Sequence, residues 1–457
     1  MPSDNLTRRT STSLRRSVAV ALSLAMLGVS SVAGAQTAKE QELEKRVAEL
    51  EKMVQQLVAE KQAAPAPAAA PAAVAAAPAK PDPKAIQPGA ILPNAAPGTS
   101  FVMTGFLKAD ALWTDTPDGE MLDSASGRFY YNPGEIPVGG LDEGVDFNAH
   151  AKQTRLNIGT DTVLASGDKV STRFEFDFYG SSSGSQNVSN AYQPMVRHAY
   201  VTWREWLVGQ TWTNFMDAGL LPETTDYIGP TDGTLFVRQT QVRYTKGGLS
   251  LSLENPQTTF TNYSSGAGGS SDDNSFPDMT ARYQWKGAWG LFEVAGLARE
   301  LKYETTGATA IDASSWSMAA SVSGKYMIGK DDIRFSVSAG NLGRYAALNF
   351  TNDAVLASDG DFETIDGVIG WIGYRHLFSD KLRTNLFYAM GDYDNPSEYT
   401  GDESKISKSS QSWAINLFYS PLPKLDIGAE YRWAERELEN GDDGSLGRLQ
   451  LTTKYSF

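Results

Sequence analysis

Hydrophobic and polar residues alternate along most of the chain after residue 98. The clearest segments are residues 169–179, 315–326 and 425–436, where apolar side chains occupy almost every second position. Side chains of a β-strand point to opposite faces with a period of two, so each segment predicts a strand with one apolar and one polar face. Sixteen such segments begin near Phe101, Ala151, Lys169, Val196, Trp206, Phe236, Leu249, Asp278, Gly290, Ser315, Ile333, Thr364, Leu382, Gln411, Leu425 and Arg448.

The connections between these predicted strands alternate in length. Long connections follow the odd-numbered strands, from residues 115–150 to residues 437–447, and most even-numbered strands end in turns as short as Arg204 and Glu205. Outer-membrane barrels have an even strand number, tight turns at one rim and long loops at the other. The pattern therefore predicts an all-β fold: a 16-stranded antiparallel transmembrane β-barrel over residues 98–457. A soluble β-sandwich gives no reason for this alternation.

Aromatic residues near the strand ends agree with a membrane barrel, because aromatic belts mark the two membrane–water interfaces. The last strand is typical, since its apolar face runs to an aromatic carboxyl terminus. The predicted belt residues are Trp113, Trp206, Trp285, Trp316, Trp371, Trp413, Tyr455 and Phe457.

Three segments precede the barrel. Residues 1–35 have an Arg-rich start, an apolar run and small residues before the end, which is the pattern of a signal peptide. Residues 36–62 carry a 4-3 apolar repeat that predicts a short periplasmic coiled-coil helix, or alternatively a lone amphipathic helix. The Val and Leu of that repeat favour two strands. Residues 63–97 are rich in Ala and Pro and predict an extended linker.

Composition excludes several classes of function. The net charge of −14 argues against nucleic-acid binding, which needs a basic surface. The chain has no cysteine and three histidines, with no nucleophile motif and no His/Cys metal spacing. We therefore expect no enzyme activity, catalytic residue, cofactor or metal site. Binding of Ca²⁺ or Mg²⁺ by the acidic loops, at the lipopolysaccharide layer, stays an alternative.

The polar face of the strands is rich in basic residues although the chain as a whole is acidic. A sixteen-stranded barrel encloses an aqueous channel, so these side chains are candidates for anion binding at a constriction. Arginine suits carboxylates because its planar fork binds them bidentately. The alternative is that many of them only pair with lumen acids. The predicted set is Lys108, Arg155, Arg173, Arg282, Arg299, Arg334, Arg344, Arg383, Arg432, Arg436, Arg448 and Lys454.

The third long connection, residues 214–235, is the candidate constriction loop. It carries Phe215, Asp217, Asp226 and Tyr227. Arg238 and Arg243 follow it and are further anion-binding candidates, but they fall on opposite faces of a regular strand. One of them therefore points elsewhere, or a bulge intervenes.

Short runs in the chain resemble the DcaP-like porins of Gram-negative outer membranes, over nearly the whole mature chain. The runs are GFLKAD from Gly105, RHAY from Arg197, GQTW from Gly209, GRY from Gly343, SPLP from Ser420 and GAEY from Gly428. The resemblance implies a homotrimer that takes up small negatively charged molecules such as dicarboxylates. It also implies that Tyr455 and Phe457 form a terminal signal for the outer-membrane assembly machinery. A trimer conflicts with the two-stranded preference of the coil.

The sequence thus predicts an outer-membrane porin for passive, anion-preferring diffusion, in contact with membrane lipid and lipopolysaccharide. The alternative is a structural protein whose coiled coil and linker brace the envelope, with transport secondary.

Overall fold

The computed structural model describes Lys52 and residues 95–142, 144–180, 190, 192–263, 265–307, 310–396 and 403–457. Apart from Lys52, the predicted signal peptide and coiled coil, with nearly all of the linker, lie outside the described residues. Among the described residues, no helix is long and apolar enough to cross a membrane. The strands, in chain order, are β1 (Thr99–Asp115), β2 (Val145–His150), β3 (Arg155–Val163), β4 (Lys169–Asp177), β5 (Met195–Trp203), β6 (Trp206–Trp212), β7 (Arg238–Lys246), β8 (Leu249–Glu254), β9 (Thr258–Asn262), β10 (Gly268–Ser271), β11 (Asp278–Gly287), β12 (Gly290–Glu304), β13 (Asp312–Ile328), β14 (Asp331–Gly340), β15 (Ala354–Leu356), β16 (Phe362–Thr364), β17 (Asp366–Leu377), β18 (Leu382–Asp394), β19 (Ser407–Leu422), β20 (Leu425–Leu438) and β21 (Asp443–Ser456).

Most of these strands form one closed antiparallel barrel. β1 pairs with β21 on one side, from Phe106↔Ser456 to Asp115↔Gly447, and this pairing closes the sheet. On its other side β1 pairs with both β2 and β3, so these two strands are halves of one barrel strand interrupted at residues 151–154. The predicted 16-stranded antiparallel barrel is confirmed.

The two ends of the barrel differ as the connections predicted. One rim has turns as short as residues 204–205 and 247–248, and the other carries loops as long as residues 116–144 and 255–277. The carboxyl-terminal ends of the first and last long connections differ most from their predicted bounds. The first loop ends at β2, not at residue 150, because β2 continues the pairing with β1. The last loop shrinks to residues 439–442, because β20 and β21 pair as far as Glu437↔Asp443.

The outer surface of the barrel is apolar and carries most of the predicted aromatic belt. Trp316 is 52% exposed and Tyr455 is 49% exposed on this surface. Trp371 does not belong to the belt, because it is only 5% exposed and packs with Leu220. Its neighbour Ile372 points outward instead, so the apolar face of β17 was assigned with the wrong parity at this residue.

Long loops build two further structures. Strands β9, β10, β15 and β16, from the loops after β8 and β14, form a separate four-stranded sheet. Residues 213–237, which we call the inner loop, turn into the barrel. They bury Phe215 and Leu235 against Leu342 and Tyr345 of the loop after β14. The described residues also contain short 3₁₀ helices at Ser126–Arg128, Pro133–Glu135, Ala218–Leu220, Thr231–Gly233, Gly343–Tyr345 and Glu403–Lys405.

Candidate functional site

The inner loop crosses the interior and binds the inner face of β11 to β20. Arg282 on β11 donates to the Met216 carbonyl at 2.6 Å, and Arg334 on β14 donates to the Leu221 carbonyl at 2.7 Å. Arg383 on β18 donates to both carboxylate oxygens of Glu223, each at 2.6 Å. Small inward residues such as Ser321, Ser323 and Ser336 face the loop, which leaves room for its backbone. We call this inner surface of β11 to β14 and β17 to β20 the covered wall.

Buried carboxylates hold the second half of the inner loop. Asp226 accepts a hydrogen bond from the Tyr131 backbone N–H at 2.9 Å. Asp232 accepts from the Tyr131 hydroxyl at 2.6 Å and from the Ser412 hydroxyl. Complete burial raises the pKa of Asp232, and the hydrogen bonds from Ser412 and Tyr131 oppose that rise. The loop is therefore fixed at several points to the barrel and to the loop after β1.

We call the inner face of β1, β3 to β7 and β21 the open wall, because part of it borders a cavity. Between it and the inner loop lies a cavity of about 350 Å³. The loop contributes Ala218, Leu221, Thr224, Tyr227 and Phe236 to its lining. The barrel contributes Phe106, Lys108, Gln153, Arg155, Glu175, Arg197, His198, Trp212, Phe418, Thr452 and Lys454. We call this space the constriction cavity.

Aromatic rings hold the cationic groups of the constriction cavity in place. The Arg197 guanidinium lies 5.7 Å from the Trp212 ring and 5.4 Å from the Tyr227 ring. The Arg238 guanidinium lies 5.0 Å from the Trp212 ring, and Arg155 lies 5.1 Å from the Phe106 ring. Stacking of this kind orders a guanidinium without neutralising its charge.

Acids on the open wall are fewer than cations. Arg197 donates to Glu175 at 2.9 Å and to Asp177 at 2.8 Å, and Arg155 lies 3.5 Å from Glu175. Arg155 Nε and Arg238 Nη1 make no hydrogen bond with the described residues, and the same holds for Arg282 Nε, Arg299 Nε, Arg375 Nε and Arg448 Nη1 elsewhere in the interior. Of these groups, Arg155 borders the constriction cavity.

On the covered wall every predicted arginine except Arg436 has a carboxylate partner. Arg299 is fully buried, with Nη1 2.7 Å from Asp353 and Nε 3.4 Å from Asp278. The remaining ion pairs join Arg282 to Glu293, Arg334 to Asp332, Arg383 to Glu223 and Asp426, and Arg432 to Glu430.

Other predicted residues lie outside the constriction cavity. Arg344 is in the Gly343–Tyr345 turn rather than on a strand, and it pairs with Asp278 at 2.6 Å. Arg436 and Arg448 donate to loop carbonyls, of Gly134 and Gly127 respectively.

The remaining candidates of the open wall and inner loop have internal partners. Lys108 borders the cavity but is 3.1 Å from Asp110, and Arg173 pairs with Asp161 at 3.0 Å. Of the loop candidates, Tyr227 lines the cavity and Phe215 is completely buried. Asp217 accepts from the Gly219 N–H at 2.8 Å and from Gln284 at 2.9 Å.

Both disputed arginines after the loop point inward. Arg243 donates to Gln241 at 2.8 Å and to the Trp212 carbonyl, and Arg238 donates to the Tyr227 hydroxyl at 3.2 Å. Arg238 is the first residue of β7, where regular pairing with the wall begins. It reaches the interior beside the inner loop in spite of its parity.

Sequence reasoning missed Arg197 as a site residue. Strict alternation allows only one of Arg197 and His198 to face inward, but the pairing of β4 with β5 shifts register between Glu175 and Phe176. This bulge places both side chains inside the barrel. His198 Nδ1 lies 3.0 Å from the Thr211 hydroxyl, in hydrogen-bond contact, and His198 lines the same cavity as Arg197. The adjacent pair of basic residues in a predicted strand was the available signal. Among the described residues no group of His, Cys, Asp and Glu could hold a metal ion.

Comparisons with known proteins agree with this architecture. The model of the family "DcaP outer membrane protein" matches residues 127–457. The crystal structure of the outer membrane channel DcaP of Acinetobacter baumannii superposes with a TM-score of 0.63 at 24% identity, covering 79% of this chain and 98% of that one. At this identity the likeness concerns the fold.

Weaker likenesses include two further porins. A loop L8 deletion mutant of OmpT from Vibrio cholerae has a TM-score of 0.47 at 14% identity, covering 79% of this chain and 100% of that one. An anion-selective porin from Comamonas acidovorans has a TM-score of 0.49 at 9% identity, with the same coverage of 79% and 100%. No curated protein matches the chain in sequence.

Proposed function

Because this chain belongs to the DcaP outer membrane protein family, we propose that it is a passive diffusion channel that prefers small anionic solutes. The observation that supports the preference is the charge of the constriction cavity. Its described lining contains Lys108, Arg155, Arg197 and Lys454, against one carboxylate, that of Glu175. A ring of cationic side chains at the narrowest part of a pore favours anions and repels cations.

Small carboxylates, dicarboxylates in particular, are the proposed solutes. A carboxylate accepts two parallel hydrogen bonds from one guanidinium, one at each oxygen, whereas a chloride ion has a single acceptor atom. Arg155 borders the cavity, and its Nε makes only a 3.5 Å ion pair with Glu175 and no hydrogen bond with the described residues, which favours contact with a solute carboxylate. Moderate binding of this kind raises the local solute concentration while still allowing release.

Reversal potentials test the proposal. The full-length protein in a planar lipid bilayer under a KCl gradient should show a potential of the sign set by chloride, and succinate should reduce the chloride current. A potential of the opposite sign in the unmodified channel would overturn the anion preference. For arginine substitutions in the cavity, Arg204→Ala is a matched control, because Arg204 is an exposed arginine in a tight turn, paired with Asp168 and outside the cavity.

The assembly we propose is a homotrimer, with residues 36–62 forming a coil in the periplasm after removal of the signal peptide. The envelope-bracing alternative remains testable by deletion of residues 38–97. A channel role predicts unchanged conductance and an intact envelope, whereas a fragile envelope with normal conductance would favour bracing.

Recognition of the terminal strand by the assembly machinery is also a proposal. Phe457 donates its N–H to the Gly105 carbonyl at 3.0 Å, and both Tyr455 and Phe457 are exposed on the outer surface. Deletion of Phe457 should lower the amount of folded barrel in the outer membrane and leave the ion selectivity of the assembled fraction unchanged. Normal assembly of that variant would contradict the proposal.

A further inference from the structure

A second cavity lies among the long loops and is separate from the constriction cavity. Its volume is about 460 Å³, within the range of roughly 300–1,000 Å³ for small-molecule sites. The lining consists of residues 132, 134, 135, 261, 266, 268, 348–352, 355, 365, 395 and 405–407, together with Arg436 of β20. The two cavities share no lining residue. We call this space the vestibule cavity.

Uncharged polar side chains dominate the vestibule cavity. Its amides belong to Asn132, Asn349, Asn352 and Asn395, and hydroxyls of Thr261, Thr351 and Ser407 lie beside them.

The charged residues of the lining are engaged elsewhere. Glu135 accepts from the Ser126 hydroxyl at 2.9 Å and from the Gly127 N–H. Arg436 donates to the Gly134 carbonyl at 2.8 Å, to the Ile136 carbonyl at 3.2 Å and to Ser407. Lys405 likewise has a partner within the protein. The hydrogen bonds of Glu135 and Arg436 are thus directed to groups within the protein, and the neutral amides and hydroxyls are the more numerous polar groups of the lining.

One lining hydroxyl has no partner. Thr351 is 8% exposed, and its Oγ1 makes no hydrogen bond with the described residues. Burial of a hydroxyl without a hydrogen bond is unfavourable, so the site suits a molecule that supplies one.

The backbone is strained at the edge of the vestibule cavity, in the segment that carries the Asn349 amide. Ala347, Leu348 and Asn349 adopt φ values of 47°, 64° and 63°, three left-handed residues in succession, none of them glycine. The Ala347 N–H donates to the Thr234 carbonyl at 3.0 Å, and Leu235 bridges to Ala346, so the inner loop holds the strained segment in place. Strain that the surrounding structure maintains is concentrated at ligand sites in proteins.

We propose that the vestibule cavity binds a neutral, hydroxyl-rich solute, namely a mono- or disaccharide. An asparagine amide presents one acceptor oxygen and two N–H donors, which complement the paired donor and acceptor hydroxyls of a sugar ring. The unpartnered Thr351 hydroxyl and the engaged charges favour such a ligand over an anion. This site does not depend on the anion preference of the constriction cavity, since it lies in other residues.

Isothermal titration calorimetry on the full-length protein in detergent tests the site with glucose, maltose and sucrose as probes. At least one sugar should bind saturably in the millimolar range, whereas polyethylene glycol of similar size should not. Thr351→Val, which preserves shape, should weaken binding at least fivefold. The double variant Asn349→Gly with Asn352→Ala should do the same, because glycine keeps the left-handed backbone.

Asn440→Ala is the matched control, since Asn440 is an exposed amide in the loop after β20, outside the cavity. Heat-modifiable gel mobility establishes that each variant is folded. The proposal is overturned if none of the three sugars gives saturable heat with the unmodified protein. It is also overturned if the folded variants bind as tightly as the unmodified protein. Neither measurement requires ion conduction, so a failure of the proposed anion preference would not affect the outcome of this test.

Discussion

Arginine has opposite roles on the two walls of the barrel interior. On the covered wall Arg299 is fully buried between Asp278 and Asp353, and Arg383 forms an ion pair with Glu223 of the inner loop. On the open wall the Arg155 side chain is 20% exposed and borders the constriction cavity, with Glu175 3.5 Å from its Nε. The charges of the covered wall hold the loop and the barrel together, whereas part of the open wall borders the constriction cavity.

The difference follows from the position of the inner loop. A buried guanidinium needs a carboxylate and further hydrogen bonds, because removal of either partner leaves an uncompensated charge. The loop therefore determines which arginines are enclosed with carboxylates and which border the constriction cavity.

The largest expected effect comes from breaking the buried ion pairs. Arg299→Met leaves buried Asp353 without its ion-pair partner and Asp278 with Arg344 alone, and it should reduce the free energy of unfolding by about 3–5 kcal/mol. Urea titration of the barrel in detergent, followed by tryptophan fluorescence, measures the change. Arg204→Met, at an exposed pair, should have little effect. Equal stability of the two variants would contradict a structural role for the covered wall.

Low pH should also weaken the contact between Arg299 and Asp353, with a smaller loss of stability than the Arg299→Met substitution. Burial raises the pKa of Asp353, but the charge of Arg299 and its hydrogen bonds outweigh this, so the pKa lies below its ordinary value. A depressed carboxyl pKa adds stability above the unfolded value of roughly 3.9, and this stability is lost as pH falls through the folded pKa.

The barrel should therefore keep its unfolding midpoint between about pH 8 and 5 and lose stability below about pH 4. Urea midpoints measured across this range test the direction. In Asp353→Asn this part of the pH dependence should be absent, so an identical acid profile for that variant would count against the assignment.

Neutralising the open wall should change selectivity without comparable loss of stability. Arg155→Ala with Lys454→Ala removes two cationic groups from the lining of the constriction cavity. The anion-to-cation permeability ratio should fall about tenfold, which corresponds to about 1.4 kcal/mol. Reversal potentials in a planar bilayer measure the ratio. An unchanged ratio, together with normal folding, would remove the functional distinction between the walls.

Loosening the inner loop should give the smallest change in stability but a distinct electrical signal. Glu223→Gln exchanges a charge-assisted bidentate contact with Arg383 for a neutral one and should cost about 1 kcal/mol. Single-channel recordings should then show more current noise, because the loop samples positions away from the wall. Asp380→Asn is the matched control, because it removes one negative charge in the exposed turn after β17, away from the inner loop. Unchanged current noise in Glu223→Gln would indicate that the other contacts of the inner loop are enough to hold it in place.

The sequence by itself determined the barrel and its strand number. The alternation in segments such as residues 169–179, together with long and short connections, defined sixteen strands without tertiary information. This works because a membrane barrel requires an apolar residue at nearly every outward position, so the period of two is enforced along each strand. It fails where the inner loop supplies an apolar partner inside, as Leu220 does for Trp371.

Only the tertiary structure decided which basic residues have partners. Parity identified Arg155 and Arg299 alike as inward, yet one borders the constriction cavity and the other is enclosed by carboxylates from β11 and the loop after β14. Parity also missed Arg197, because a bulge turns two consecutive residues inward. Charge pairing depends on contacts between residues far apart in the chain, and local periodicity carries no information about them.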